Sequence, residues 1–473
     1  MSRIVGSIQI AKKTKAEWDI QNPILLAGQV AVETDSGKTR LKVGDGTTNY
    51  ATLKYITVKD ADEVQEGLAN LYYTDARVKN YADTLYQSIG LTGFGWSGVR
   101  WDPTLPGTAM TRVGDADWQQ MFRDISLVAL SDAGVINATL ATYSAPAVVG
   151  AVDGSNGQVM VRIPRKYYRE VFNTSGELSG LDVSNYPIGG FKLHEKFSWG
   201  NGRGEIYVGA YEGSTALGKY QSISAVALDH TKTMAEFRTL AVARGAKWHV
   251  YDYYTHHLLQ MLFYVYYATL NSQEALPAYS EHTWAESYKR NAGRSNTLAT
   301  MNGYVNADAT IDADLAAGWN NTSRVIANRF IWVENLYGHI WKFLDGCAFD
   351  GRVGSKNTAY LTPNPTLFSS VDANILSTYI DMNVSLPAAG NEDWIKSMGS
   401  LFLPKTHGGD SSTYVTDYFW SYLDDATRNY LRVVFCGGIL DYGAFVGVAA
   451  RLSIVALGFA SSDVVSRLCF ENN

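Results

Sequence analysis

Four groups of residues have types and spacings that could do chemistry. Gly213-Ser214-Thr215-Ala216-Leu217-Gly218-Lys219 has the spacing of a phosphate-binding loop, but Tyr220 stands where a Mg²⁺-holding Ser or Thr is needed. The next stretch, 222–228, reads as a strand, not as the helix whose positive end would cradle phosphate. Asn306, Asp308, Asp312 and Asp314 lie close together, yet they lack the ligand ladder and central Gly of a calcium loop and read as a solvated acidic turn. His256 and His257 are adjacent on an expected helix, so their side chains diverge by about 100° and cannot share one ion. Cys347, Cys436 and Cys469 form no CxxC pair and are too few for a disulfide framework, so they read as packed thiols, with Cys436 and Cys469 in two strands that could be neighbours. There is no GxSxG nucleophile elbow and no repeat of the kind found in depolymerising β-helices. The chain is therefore read as a non-enzyme, with no catalytic residues, no metal ligands and no cofactors.

What remains is a question of surfaces and of the elements that carry them. The 473 residues are 46% apolar and 12% aromatic, enough for large cores and for more than one domain. Acidic residues exceed basic ones, 46 to 40, and no Lys/Arg cluster reverses the balance, which argues against a nucleic-acid partner. The most apolar run, 258–270, is too short to span a bilayer and contains Gln260, so no membrane insertion is expected. Met1-Ser2-Arg3-Ile4 leads directly into polar sequence without a signal peptide, as for a protein made in a cytoplasm.

Residues 1–58 read as a compact β unit with strands around 30–32, 40–43 and 53–56 and turns at 35–38 and 44–46. In 59–97, Val78, Tyr81, Ala82 and Leu85 fit one helical stripe, ended by Gly90 and the glycines after it. From 98 to 473 one large α+β domain is expected. Its strands include 158–164 and 205–211, and Thr233-Met234-Ala235-Glu236 has the form of a capping box opening a helix to about 244. A second helix, 248–270, is apolar nearly all round and should be buried. Residues 274–325 read as a surface insertion.

The stretch that organises the rest is 431–470, LRVVFCGGILDYGAFVGVAARLSIVALGFASSDVVSRLCF. Its ends, 432–436 and 466–470, read as strands. Between them lie Gly437, Gly438, Gly443, Gly447 and Gly458, only three charges (Asp441, Arg451, Asp463), and apolar residues with no clear period. Apolar loop residues on a glycine frame point to a contact surface. The Gly437-Gly438, Gly443-Ala444 and Gly447-Val448-Ala449 steps and the closing Ser466-Arg467-Leu468-Cys469-Phe470 resemble the variable region of retroelement-diversified proteins. That family comprises C-type-lectin-like receptor-binding proteins, many carried at phage tail tips. Adenine-specific mutagenesis in that family cannot generate Lys, Glu, Gln, Trp or Met from Asn-type codons that keep a third-base pyrimidine, and 439–465 contains none of the five.

The resemblance extends to both ends of the chain. Ala16-Glu17-Trp18, Asn22-Pro23, 28–35 and Lys42-Val43-Gly44-Asp45-Gly46-Thr47-Thr48 resemble the amino-terminal module of phage tail fibres and tropism determinants, with Gln29 where Glu is usual. The cassette at 67–78 is similar to one in tail-fibre shafts and necks. Gly338-His339-Ile340-Trp341-Lys342-Phe343 resembles the Gly-Asn-Val-Trp-Glu-Trp signature of the formylglycine-generating branch of the lectin-like fold, in which the aromatics are core. Trp341 and Phe343 are read as core and His339 as a satisfied polar neighbour. The oxidase chemistry of that branch needs paired cysteines and copper, whereas here Cys469 lacks its partner and Val465-Ser466 replaces Gly-Phe. The calcium-bridging motifs of classical lectins are also missing.

The resemblance implies an α+β protein in three parts: a trimerising β head at 1–58, a helical neck at 59–97, and a C-type-lectin-like domain at 98–473 with its variable region at 431–470. It implies a host-tropism protein in the virion tail. Its partners would be a host cell-surface receptor, protein or glycan, tail or baseplate proteins at the head, and two further copies of itself. A structural tail-fibre subunit is the alternative. The expected contact residues are Ile439, Asp441, Tyr442, Phe445, Ser453, Val455, Ala456, Phe459, Ser462, Asp463 and Val464.

Overall fold

The computed structural model describes residues 11–35, 38–56, 95–105, 110–198, 202–278, 291–306, 325–355, 357–387, 392–408, 410, 415–421 and 426–472, with backbone alone at 11, 38, 39, 325, 326, 392, 440 and 441. The neck stripe at 78–85, the cassette at 67–78, the middle of the 35–38 turn, and Asp308, Asp312 and Asp314 lie outside the described residues. The chain divides into two compact units, 1–89 and 90–473.

In the first unit, Ala11–Lys13, Val30–Asp35, Lys38–Val43 and Tyr55–Ile56 form a four-stranded sheet in that order. The first two strands run parallel and the others antiparallel, Val30 facing Val43 and Leu41 facing Ile56. The parallel step requires a crossover, supplied by a helix at Lys15–Gln21. Thr14 and Glu17 cap that helix reciprocally, and Asn22 ends it in the left-handed region. Its one buried side chain, Trp18, stacks on Tyr50 at 4.8 Å, and with Leu25 and Ala31 these form one small buried cluster among the described residues. The expected turn at 44–46 is present: Asp45 Oδ1 accepts from the Thr47 and Thr48 amides.

The second unit is built on three large sheets and one buried helix. A six-stranded sheet has the order Trp248–Val250, Arg467–Glu471, Glu205–Glu212, Gln158–Pro164, Ser126–Leu130, Ile136–Thr142. A five-stranded sheet runs Lys192–Leu193, Tyr167–Phe172, Leu178–Ser184, Trp96–Arg100, Thr111–Gly114. The largest contains Trp341–Asp350 beside Leu431–Cys436, continuing through Arg451–Leu452 and Tyr418–Trp420 to Glu392–Met398 and Pro404–His407. Helix Tyr253–Tyr267 is buried from Tyr253 to Val265 and joins the main core.

Several expectations are corrected in detail. The helix expected at 248–270 is a strand, Trp248–Val250, followed by helix Tyr253–Tyr267. Asp252 caps that helix by accepting the Thr255 amide at 3.0 Å, and Trp248 pairs opposite Phe470. The capping box at Thr233 and Glu236 forms, and its helix is Met234–Val242. Residues 222–228 are not a strand: Ser222 O accepts the Val159 amide, and Ala225 then turns left-handed at φ 62°. The phosphate-loop spacing is a hairpin, Ser214–Ala216 with Lys219–Gln221, turning through Leu217 and Gly218. Parts of 274–325 are built inward, with Leu276, Ser295 and Met301 buried, so the segment is not simply a surface insertion. Among the described residues no helix is long and apolar enough to cross a membrane.

Candidate functional site

The 431–470 stretch starts in the largest sheet and ends in the six-stranded one. Leu431–Cys436 lies antiparallel to Trp341–Asp350, placing Phe435 opposite Phe343. Arg451–Leu452 returns against Phe435 and Cys436. Val464–Val465 runs parallel to Trp341 and Lys342, and Arg467–Glu471 enters the six-stranded sheet between Glu205–Glu212 and Trp248–Val250. Four paired strands thus fix the chain, and the segments between them are free to be shaped by their own partners.

Residues 446–450 are gripped from beneath. Gln273 Nε2 donates to Val446 O at 2.6 Å, and the Val448 amide donates to Ser272 Oγ. The Ala449 amide donates to Asp417 Oδ2 at 2.7 Å. Val448 O accepts from both His256 Nε2 and Arg451 Nη1, and Arg451 Nη2 reaches Gln260 Oε1. Gly447 is required by close approach: a Cβ there would lie 2.0 Å from Asp417 Oδ1. Burial pushes the Asp417 carboxyl up to about 8, against the lowering effect of its Ala449 and Ser272 hydrogen bonds and of Arg451.

The 440–445 turn is different. Its Tyr442 and Phe445 side chains rest on an aromatic ledge that grows from the core outward. Buried Trp341 meets Trp420 edge-on at 5.4 Å, and Trp420 meets Tyr418 at 4.5 Å and Tyr442 at 5.2 Å. Phe445, 40% exposed, leans on Tyr418 at 4.8 Å and Trp394 at 5.1 Å. Gly443 breaks the Leu440–Phe445 turn at φ 52° and ψ −125°, a conformation open only to glycine, and this lets Tyr442 and Phe445 both lie on the ledge.

Of the expected contact residues, Phe445 and Ala456 are exposed, and Tyr442, Val455, Phe459, Ser462 and Asp463 are half-buried at the rim. Ile439, Ser453 and Val464 are corrected, since all three are buried. Ile439 and Val464 belong to the cluster around Trp341, Phe343 and Phe435. Ser453 lies inside, its amide donating to Trp420 O and its carbonyl accepting from Arg432 Nη1. The Asp441 side chain lies outside the described residues. Trp394, Tyr418 and Trp420 were missed because they belong to strands distant in sequence. Three aromatics within 418–420 were the available signal.

Trp341 and Phe343 are core, as read. His339 and Lys342 flank buried Glu212, at 2.5 Å and 2.9 Å. Burial alone would raise the Glu212 carboxyl, but these two partners outweigh it and hold it below the usual range. His256 Nε2 donates to Val448 O while its Nδ1 faces the Tyr251 hydroxyl at 2.9 Å. Burial drives His256 and His257 far below the ordinary histidine value, so both stay neutral. His194, Glu195 and His257 come together, as do His249, Asp252 and Glu471, with His194 Nε2 already 2.9 Å from His257 Nδ1. His194 Nδ1 takes the Lys196 amide, and Lys196 and Arg203 neutralise Glu471. All three cysteines are buried free thiols, so Cys436 and Cys469 are not bonded.

No curated protein matches the chain. Three solved structures, the Major Tropism Determinant P3c, M1 and I1 variants, align over 98% of this chain and 99% of theirs. Each is 11% identical, with TM-scores of 0.27, 0.27 and 0.26 respectively. A family model, described as the major tropism determinant N-terminal domain, matches residues 8–48.

Proposed function

We propose that this protein is a receptor-binding, host-tropism protein of a phage tail, with no enzymatic activity. The observation that carries the reading is the match to the tropism-determinant N-terminal domain at 8–48. The carboxyl-terminal domain is read as C-type-lectin-like, with a retroelement-diversified surface. The contact set is Tyr442 and Phe445, on the ledge of Trp394, Tyr418 and Trp420, together with Val455, Ala456, Phe459, Ser462 and Asp463 elsewhere on the rim. Rigid aromatics with one face free give contact area at low entropic cost. Changing Tyr442, Phe445, Val455 and Phe459 together to Ser should abolish adsorption to host cells while the chain stays folded. Undiminished adsorption of that variant would remove the site.

The head is read as the attachment to other tail proteins and the seat of a homotrimer. Among its described residues the buried cluster of Trp18, Leu25, Ala31 and Tyr50 is small, offering little independent stability. Ile20, Ile24, Leu26 and Ile56 are exposed on the same unit, which suits coverage by other copies. Three sites acting together would gain on the order of 10²–10⁴ in avidity where geometry permits. Light scattering on the full chain at micromolar concentration should give a trimer, and a monomer would end this part of the reading.

A further inference from the structure

A cleft of about 540 Å³ opens in the second unit on elements that contribute nothing to the aromatic ledge. Four chain segments wall it, one of them at Gly204. Gln120, Arg123 and Asp124 come from the Trp118–Phe122 turn and the residues after it. Arg165 follows strand Gln158–Pro164, and Asn185 and Tyr186 follow strand Leu178–Ser184.

Its polar groups are held in place from below. Lys166 is fully buried, and its Nζ donates to Asp124 Oδ1 at 2.7 Å and to Asn185 Oδ1 at 2.6 Å. Asn185 Nδ2 donates to Gln120 O, and Gln120 Nε2 to Asp115 Oδ2. Arg165 is anchored through Nε to Arg203 O at 2.8 Å, so its Nη edge is left for a ligand. Arg123 pairs with Asp117 at the solvent-exposed side. Two cations, Arg123 and Arg165, thus line the cleft with one carboxylate, Asp124, which Lys166 holds from beneath, in a chain whose formal charge is −6. The volume suits a small ligand more than a peptide strand.

We propose that this cleft is a second binding site, and that it takes an acidic sugar residue. A guanidinium fixed at Nε presents a planar fork matched to a carboxylate. Asn185 and Asp124, fixed by Lys166, are short planar groups of the kind that bond vicinal hydroxyls. The inference does not depend on the ledge: the ledge offers apolar area, whereas this cleft offers one oriented charge and a set of hydroxyl partners.

The test is calorimetric titration of the full chain with methyl β-D-glucuronide, methyl β-D-glucoside and inorganic phosphate. The glucuronide should bind saturably, and the glucoside and phosphate about tenfold more weakly or worse. Arg165→Ala should weaken the glucuronide about tenfold or more. Arg165→Lys, which keeps the charge and loses the fork, should fall between wild type and alanine and guards against a misfolded variant. Phe445→Ser should bind the glucuronide as the wild type does, whatever becomes of host adsorption. No saturable glucuronide binding, wild-type affinity in Arg165→Ala, or equal affinity for the glucoside would overturn the proposal. Phosphate binding as tight as the glucuronide would replace the sugar with a simple anion and overturn it equally.

Discussion

Residues 446–453 and the segments on either side of them are made of the same small and apolar residue types, yet the chain treats them oppositely. The middle segment is held by side chains from outside it: Gln273, Ser272, Asp417 and His256 each take a backbone group. Arg451 braces it from within, donating to Val448 O and Ala450 O. The flanking segments have fewer such clamps and lay their own side chains outward, Phe445 on Tyr418 and Phe459 on Phe435. Fixed backbone in one region therefore coexists with displayed side chains in its neighbours. A surface that must tolerate changing side chains needs this arrangement, because its frame then rests on hydrogen bonds that substitutions at the rim do not touch.

The largest expected effect tests the frame itself. Gly447→Val would place Cβ 2.0 Å from the buried Asp417 carboxylate, which also ties down Ser272 and Ala449. Overpacking together with a broken buried network should cost about 3 kcal/mol or more. Gly443→Val meets no atom within 4 Å and should cost only the strain of its φ of 52°, about 1–3 kcal/mol. Denaturant midpoints of the two variants should therefore separate clearly. Equal destabilisation would mean that the two glycines serve the same frame and that the contrast drawn here is wrong.

Much of this frame could be read from the residues in order, and the limits were physical. Strands with strong local signals, such as Gln158–Pro164 and Leu431–Cys436, stand where they were expected. The capping box at Thr233 and the buried character of the Tyr253–Tyr267 helix also held. The boundary at Trp248 failed because apolar residues suit a buried strand and a buried helix alike, and Asp252 decides between them by capping. Ile439, Ser453 and Val464 were placed on the surface because composition alone cannot distinguish a displayed loop from one pressed into a core. Only the pairing of Val464 with Trp341 and the enclosure of Ser453 by Trp420 and Arg432 reveal it. Thr14 and Glu17 had the capping-box spacing from the start, and their helix was nevertheless overlooked.

A smaller effect reads the braced segment through pH. The Asp417 carboxyl is pushed up to about 8 by burial, far above its value in an unfolded chain. Between roughly pH 4 and pH 8 the folded chain keeps a proton that the unfolded chain has released, so stability falls as pH rises through that window. Above it the contribution levels off. Asp417→Asn keeps an acceptor for the Ala449 amide and Ser272 and removes the titration. Its stability advantage over wild type should therefore grow by about 1–3 kcal/mol between roughly pH 5 and pH 8. Chemical denaturation of the pair across that range measures the difference, and parallel curves would show that Asp417 is ionised in the fold.

The smallest expected effect belongs to the displayed side. Phe445 is 40% exposed and leans on Tyr418 and Trp394, with Trp420 farther off at 6.2 Å, so Phe445→Ser should remove these edge contacts and little burial. Such pairs contribute about 0.5–1.5 kcal/mol each, and a partly exposed site recovers some of that by hydration. In a unit of this size the melting temperature should move by about 2–4 °C or less. Tyr442 meets buried Trp341 and Trp420, so Tyr442→Ser should cost more. Trp341→Ser, which empties the inner end of the ledge, should cost about 3–5 kcal/mol. The gradient matters more than any one value, because stability loss should rise inward along the ledge while loss of host adsorption is already large at Phe445. Thermal melts and adsorption measured on the same three variants would expose the opposite case. If Phe445→Ser destabilised the chain as much as Trp341→Ser, the ledge would be core to its outer edge, with no face left to display.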